Sequence, residues 1–316
     1  MTAAGTEEMA DILTIVVTYN GMKWVEKCLG SVRASAVPSD LMVIDNASDD
    51  GTPDWIRNHF PEAIVSENRQ NAGFAAANNT GFRYALAHGY KYVYLLNQDA
   101  WVFPETFGTL IRAFAEHGEG GRKVGILSPM QMEANLTRMD AQFRKHCGAA
   151  LEKDPAGTVR VPFVMAAHWM VSRECLEAVG GFSPAFPHYG EDLDFIHRAM
   201  YKGFDAAVVK TALAVHDRAG RPRPKDYRMN LKVVTAKTAI ADPRSNPDMA
   251  LIGQSVILAL QGVRHLSAIP WKGIGELRRS MYDLKRCRKE AMTGTCAFLE
   301  DRPVAPVPAG EKDPVE

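Results

Sequence analysis

Three short polar clusters, Thr18-Tyr19-Asn20, Asp45-Asn46 and Asn97-Gln98-Asp99, each stand directly after an apolar run. Hydroxyls and carboxamides gathered this way can hydrogen-bond a nucleobase and ribose, and a carboxylate among them can bind a hard divalent cation. Any one cluster is compatible with ordinary turn chemistry; it is their agreement that points to a cleft. A fourth candidate is Asp192. On a helix beginning at Gly190, at about 100° per residue, Leu193, Phe195, Ile196, Ala199 and Met200 make an apolar arc that includes Asp192. Glu191, Asp194, Arg198 and Lys202 fall on the opposite side, expected to be solvated. Acids in a first helical turn favour the macrodipole, which accounts for Glu191 and Asp194. It does not account for a carboxylate aimed at the core, which is costly unless answered and suits a general base.

Two further residues break their local pattern. Asn78 lies among Phe74, Ala75, Phe82 and Ala85, and a buried carboxamide either ties down backbone or faces a ligand. His216 ends the apolar run ALAVH and precedes Arg218, Arg221, Arg223, Lys225 and Arg228. It reads either as a satisfied histidine beside a solvated basic loop or as part of a phosphate-binding neighbourhood.

The elements that must carry these residues alternate. ILTIVVTYN and YVYLLN are apolar on both faces, as strands buried in a parallel sheet are. LMVID, AIVSE and VGILSPM supply further strands. Between them run helices with Trp24, Val25, Cys28, Leu29 and Val32 at helical spacing, with Pro53 or Pro104 near the start, or with Gly89 at the close. This βαβα rhythm predicts a doubly wound α/β sheet, and such sheets bind ligands outside the carboxyl ends of their strands. After Pro129 the rhythm breaks. Residues 131–160 read as a hairpin or excursion, VPFVMAAHWMV as a strand, and the sequence beyond the basic loop as helices to about Thr293.

Composition excludes several classes. The 37 basic and 37 acidic residues cancel, which argues against nucleic-acid binding. The opening MTAAGTEEMAD lacks the apolar stretch of a signal peptide. The longest apolar stretch, MALIGQSVILALQGV, is too short and interrupted to span a bilayer. Five scattered cysteines without a CxxC read as free thiols in a reducing compartment. No G-x-G-x-x-G follows the first strand and no Walker A sequence occurs.

The ordered set VVTYNG, VIDNASDDGT, NAGFAAANNTGFRYA, LLNQDAWVFP and VSRECLEAVGGFSPAFPHYGEDLDFIHRA, spanning about residues 12–216, resembles inverting family-2 glycosyltransferases of the GT-A fold, especially the rhamnosyltransferase-like branch. The resemblance implies an α/β fold: a GT-A, Rossmann-like, mostly parallel sheet flanked by helices, with a C-terminal helical extension. The implied organisation is a flexible stretch at 1–10 and a GT-A domain at 11–225. A nucleotide-sugar half at about 11–100 and an acceptor half at about 101–225 would divide that domain. A helical extension at 226–295 and a disordered tail at 296–316 would follow.

The same resemblance assigns roles. Thr18, Tyr19 and Asn20, with Asp45 and Asn46, would hold the base and ribose. Asn71, Gly73, Phe74 and Asn78 would line the nucleotide-sugar pocket, and Asn97 and Gln98 would contact the nucleotide or shape the turn. Asp99, the acidic member of NQD at the family's DxD position, would bind a divalent metal, Mg²⁺ or Mn²⁺, with His216 completing the ligand set. Asp192 would be the catalytic base. His168 and Trp169, where the family usually has small residues, would face sugar or acceptor together with Glu191. The implied reaction is metal-dependent transfer of a sugar, with dTDP-rhamnose the donor of that branch, to a hydroxyl of a growing bacterial surface glycan or glycolipid. The alternative is a catalytically inactive relative that binds nucleotide-sugar or glycan. Implied partners are the nucleotide-sugar donor, a glycan or lipid-linked acceptor and a second copy of the chain. The implied place is the cytoplasm or the inner face of the cytoplasmic membrane. The basic run 264–289, with Ile269, Trp271, Ile274, Leu277 and Met281, reads either as a membrane-surface helix or as a helix with a solvated charged face.

Overall fold

The structure is a computed structural model that describes residues 10–117, 122–187, 189–218 and 227–300. The strands are β1 (Ile12–Thr18), β2 (Asp40–Asp45), β3 (Ile64–Glu67), β4 (Tyr92–Asn97), β5 (Ala100–Val102), β6 (Lys123–Met132), β7 (Thr158–Val161), β8 (His168–Ser172) and β9 (Phe204–His216). The helices are α1 (Val25–Arg33), α2 (Thr52–His59), α3 (Gly73–His88), α4 (Thr106–Glu116), α5 (Ala141–Lys153), α6 (Arg173–Val179), α7 (Glu191–Tyr201), α8 (Tyr227–Ala241), α9 (Pro247–His265) and α10 (Ile269–Thr293).

All nine strands join one sheet in the order β3-β2-β1-β4-β8-β6-β9-β5, with β7 on the flank of β9. Successive side chains of β1 point to opposite faces. Leu13 and Ile15 pack with Phe82, Trp169, Phe182 and Phe195 on one face. Ile12 and Val16 pack with Leu29, Ile56 and Phe107 on the other. Both faces are covered, which is why the strands read as continuous apolar runs. Helix α3 presses directly on β1: a Cβ at Gly81 would lie 2.4 Å from Ile15 Cδ1, so glycine is needed there.

The sheet is an α/β sheet flanked by helices, as expected, but it is only half parallel. β1 runs parallel to β2 and β4, and β2 to β3. Beyond β4 the pairing is mixed. β8 is antiparallel to both β4 and β6, and β9 is parallel to β6 but antiparallel to β5 and β7. The cause lies in the 131–160 excursion, which contains α5 as well as β7, so the chain re-enters the sheet at β8 reversed.

Helix α7 also departs from its wheel. Asp194 and Arg198, expected on a solvated side, are each only 2% exposed. Arg198 Nε donates to Asp194 Oδ2 at 2.7 Å, and its remaining nitrogens donate to the carbonyls of Val179 (3.0 Å) and Gly181 (2.9 Å). A buried charge is tolerated when it is paired and hydrogen-bonded in this way. Burial on that side comes from distant sequence: the Phe298 ring lies 5.3 Å from the Arg198 guanidinium.

The C-terminal helices form a layer around Val233, Ala236, Ile240, Leu258, Leu277 and Leu284, against Phe186. The tail expected to be disordered from 296 is packed over 296–300. Cys296 N–H donates to the Glu177 carbonyl, Gly181 N–H donates to the Ala297 carbonyl (both 2.8 Å), and Ala297, Phe298 and Leu299 are buried. Their apolar side chains bury surface that a solvated tail would leave in water. Residues 1–9 and 301–316, the rest of the expected flexible ends, lie outside the described residues.

Candidate functional site

Register sets the site. Val17 pairs with Asn97 and Thr18 with Asp45, so β1, β2 and β4 end level and bring the three polar clusters to one edge. There the side chains bond mostly to one another. Asp45 accepts from Thr18 Oγ1 (2.7 Å), Ser48 N–H (2.8 Å) and Ser48 Oγ (2.6 Å). Asn46 accepts from Asn68 Nδ2 (2.7 Å) and donates to the Gly73 carbonyl (3.4 Å), tying the end of β2 to the start of α3. Asn71 Oδ1 accepts from Gly73 N–H at 2.9 Å. Asn20, at φ 48°, accepts from Asp49 N–H. Gln98 accepts from Tyr19 N–H (2.9 Å) and donates to the Tyr19 carbonyl (3.0 Å). Both ends of that amide are engaged by backbone, so Gln98 shapes the cleft rather than lining it as a free ligand contact. Asn97 extends β4, its N–H donating to the Ala167 carbonyl at 3.1 Å.

The helix α3 residues divide likewise. Asn78 is buried and donates to the Phe74 carbonyl one turn back at 2.9 Å. Phe74 is half-buried against Phe182, with ring centroids 5.9 Å apart. Its neighbour Asn79, which the sequence pattern did not single out, clamps Phe182 by both backbone groups: Nδ2 to the carbonyl at 2.9 Å, Oδ1 from the N–H at 2.7 Å. The doubled asparagine was the available signal, but its partner lies 103 residues away.

Asp99 and His216 meet through the sheet. Ala100 pairs with His216 in the antiparallel β5–β9 ladder, and Asp217 N–H donates to the Asp99 carbonyl at 2.9 Å. This sets His216 Nε2 3.5 Å from Asp99 Oδ1, both side chains being buried. Metal–ligand bonds of about 2.1 Å put two adjacent ligands about 3 Å apart, so the pair fits two positions on one divalent ion. Among the described residues no group of three or more His, Cys, Asp or Glu converges to hold a metal. The remaining ligands would therefore be oxygens of a bound diphosphate and water. Arg218 Nε lies 3.3 Å from His216 Nδ1 and 3.5 Å from Asp140 Oδ2. A guanidinium only donates, so Nδ1 is the acceptor in this contact. Of the other cations expected around this loop, Arg221, Arg223 and Lys225 lie outside the described residues, and Arg228 is exposed at the start of α8. Burial, with Asp99 nearby, raises the Cys28 thiol and leaves it neutral.

His168 and Trp169 are buried and present no surface to the cleft, although the His168 ring lies 6.5 Å from that of His216. His168 is fully buried, with Nδ1 2.8 Å from Tyr94 Oη and Nε2 2.9 Å from the Val215 carbonyl. Burial pushes its pKa down to about 3, so it stays neutral. Trp169 is fully buried among Phe182 and Phe195 and donates to the Val164 carbonyl at 3.2 Å. Strand β8 lies between β4 and β6, so its side chains become core on both faces, and the expectation that these two meet sugar or acceptor is corrected.

Helix α7 starts at Gly190, whose φ of 89° favours glycine and whose missing Cβ makes room for Val234 of α8. Glu191 and Asp192 follow. Asp192 Oδ1 accepts from Leu193 N–H at 2.8 Å, and the carboxylate also accepts from Ala166 N–H. Burial raises its pKa to about 6, with these bonds and the Arg218 charge opposing. Burial and the neighbouring Asp192 push Glu191 up to about 8, and Glu191 Oε2 is buried without a hydrogen-bond partner. Both carboxyls are raised by burial, Glu191 further because of the neighbouring Asp192, and environments that push two carboxyls apart in this way suit a division into acid and base roles.

Residues 14–180 match the profile of glycosyl transferase family 2. An undecaprenyl-phosphate mannosyltransferase of Micrococcus luteus is 33% identical over 105 residues, 32% of this chain and 43% of that protein. An uncharacterized protein of Mycobacterium tuberculosis is 28% identical over 191 residues, 56% of this chain and 64% of its own. The chain thus spans less than two thirds of the length of these relatives. Among solved structures, the mannosyltransferase PcManGT of Pyrobaculum calidifontis, in complex with GDP-Man and Mn²⁺, superposes with a TM-score of 0.54 at 18% identity. That match covers 90% of this chain and 88% of PcManGT. S. aureus TarS 1–349 with UDP-GlcNAc gives 0.58 at 14% identity, covering 89% and 83%. These likenesses show the fold, that of GT-A glycosyltransferases.

Proposed function

The chain belongs to glycosyl transferase family 2, and on that premise we propose that it transfers a sugar from a nucleoside-diphosphate donor to an acceptor hydroxyl with inversion. One observation carries the reading. Arg218 joins two acidic sites, donating to His216 behind Asp99 while its charge favours the ionised form of Asp192.

In this reading the acceptor hydroxyl attacks the anomeric carbon as the bond to the diphosphate breaks and the leaving oxygen takes the electron pair. Asp192, ionised above about pH 6, accepts the hydroxyl proton; such a base contributes about 10²- to 10⁴-fold. Single displacement requires no covalent intermediate. Asp99 and His216 are the residues that would hold Mg²⁺ or Mn²⁺, which when bound neutralises charge on the diphosphate. Arg218 supplies a fixed positive charge on the same side. Thr18, Tyr19, Asn20, Asp45 and Asn46, held by Gln98 and Ser48, shape the wall for base and ribose. Asn71, just before α3, and Gly73, Phe74 and Asn78 in its first turns form the wall against which the donor would lie. Glu191 keeps its proton at neutral pH and can donate a hydrogen bond to the acceptor.

The donors in the titles of the structural neighbours, GDP-Man and UDP-GlcNAc, support the class of donor. The motif resemblance adds dTDP-rhamnose. The Micrococcus relative's undecaprenyl-phosphate supports a lipid-linked acceptor. The test is release of nucleoside diphosphate from a panel of these three donors, with Mn²⁺ and with EDTA. Release from one donor that is lost in Asp192→Asn is expected; no release from any member, with nucleotide still bound, would leave the inactive binding protein.

A metal-independent transferase is the second reading, favoured by the Arg218 contact on His216 Nδ1. A neutral imidazole bound to metal through Nε2 would carry its hydrogen on Nδ1, which could not then accept from Arg218. Release undiminished in EDTA would decide for it.

A further inference from the structure

We propose that α9 lies flat on the surface of an anionic lipid bilayer. The stretch from Met249 to Val263 contains no charged residue. On its outer side Met249, Ile252, Val256, Ile257, Leu260 and Val263 are each between 50% and 66% exposed. The spacing of 3 or 4 residues aligns them on one face. Leu258 and Gly262 turn inward to the helical layer. The outer face presents on the order of 600 Å² of apolar side chain, the upper end of what monomeric proteins leave in water.

The border of this face identifies its occupant. At the C-terminal end of α9 a Cβ on Gly262 would lie 2.4 Å from Trp271 Nε1, so the indole of α10 sits against that turn. At the N-terminal end Lys285 Nζ of α10 binds Asp248 Oδ1 at 2.7 Å and answers the acid nearest the apolar face. Helix α10 therefore runs back along α9. The residues at helical spacing on that edge are Trp271, Arg278, Tyr282 and Lys285, with Trp271 and Tyr282 exposed. Arg264 and His265 are exposed at the end of α9. An uncharged centre rimmed by aromatic and basic side chains is the composition of a helix seated at the headgroup boundary. With Lys285 paired to Asp248, Arg264 and Arg278 carry the charge of this border; a second copy of the chain gains nothing from these like charges, whereas anionic headgroups answer each with about fivefold tighter binding.

The contact is in-plane. Helix α9 has 19 residues, about 28 Å, and no described helix is long and apolar enough to cross a membrane. This moves the apolar contact from the 264–289 run expected from sequence to α9, leaving α10 the charged border. There Leu277 and Leu284 are buried within the layer. The inference stands apart from the transferase reading, since none of these residues belongs to the cleft.

Flotation of the full chain with phosphatidylcholine vesicles, with and without phosphatidylglycerol, tests it. The wild type is expected to float with phosphatidylglycerol vesicles and to detach as salt rises. Ile252→Glu with Leu260→Glu is expected to bind at least about tenfold more weakly. Arg264→Glu with Arg278→Glu should fall by a similar factor and lose the salt dependence. Circular dichroism and thermal melting of both variants report folding, and donor hydrolysis in the same samples reports the transferase reading separately. Absence of flotation, flotation retained by the Ile252/Leu260 variant, or a wild-type dimer that this variant converts to monomer without any lipid binding would each overturn the proposal.

Discussion

Gln98 holds Tyr19 by both backbone groups, accepting from its N–H and donating to its carbonyl across 79 residues of sequence. The amide substitutes for a strand at the point where β1 and β4 have ended, and it fixes the loop that leads from Thr18 to Gly21. Gly21 is part of the same fit, since a Cβ there would stand 2.7 Å from Gln98 Oε1. Of the two roles expected for Gln98, nucleotide contact or shaping of the turn, these bonds are those of a brace.

Gln98→Ala removes the partner of two half-buried backbone groups, at a cost of about 1 kcal/mol. The expected result is a lowered denaturation midpoint together with a raised KM for donor. A kcat that falls while KM stays fixed would mean that Gln98 acts in chemistry and not as a brace.

The carboxyl pair at α7 predicts a pH profile. With Asp192 at about 6, kcat/KM is expected to fall as pH drops through about 6, as the base becomes protonated. Asp192→Asn should lose about 10²- to 10⁴-fold in kcat with nucleotide affinity unchanged, whereas Glu191→Gln, which keeps a neutral hydrogen-bonding group, should retain most activity.

Glu191 also predicts a stability difference of known sign. Its folded pKa, about 8, stands above the model-compound value of 4.5. Keeping it protonated in the fold therefore costs progressively more as pH rises from 4.5, until the folded carboxyl ionises near 8. The melting temperature of Glu191→Gln should exceed that of wild type by a margin that widens across that interval and is flat above it. A margin that does not change with pH would contradict the burial of this carboxyl.

Asp99→Asn is expected to weaken nucleoside-diphosphate binding in Mn²⁺ by at least about tenfold, to the level of the wild type in EDTA. Titration calorimetry with each of GDP, UDP and dTDP measures it. His216→Ala should follow in the same direction. Equal affinities for wild type and Asp99→Asn in Mn²⁺ would remove the metal from this site.

Arg198→Met removes one member of a buried ion pair and leaves Asp194 together with the Val179 and Gly181 carbonyls unanswered. The expected loss is about 3–5 kcal/mol of unfolding free energy, read by urea denaturation. Asp194→Asn combined with Arg198→Met should recover part of it, since no charge is then left buried.

Much of the site's framework was legible in the sequence because two strands are buried on both faces. β1 and β4 show as unbroken apolar runs, so the residues that end them are conspicuous. What was not legible depends on pairings between distant segments. That Ala100 lies opposite His216, or that Asn79 reaches Phe182, follows from register and packing, which leave no periodic trace. Asp194 and Arg198 looked solvated because a helical wheel carries no information about a second layer, and that layer is supplied by residues 296–299. His168 and Trp169 looked functional for being unusual in their place, yet strand β8 is flanked by neighbours on both edges and covered on both faces.

The packing of residues 296–299 against α6 and the Gly180-Gly181 turn bears on how the molecule can be handled mechanically. The helical layer is clasped at both ends: α8 meets α7 through Val234 at Gly190, and the chain leaving α10 is pinned by Cys296 and Ala297. A part fixed at two points can transmit a pull but cannot swing. A force on α9 at a lipid surface of the kind proposed would pass to the start of α7 at Gly190 and to the α6–Gly181 turn, so anchoring would also orient the candidate cleft.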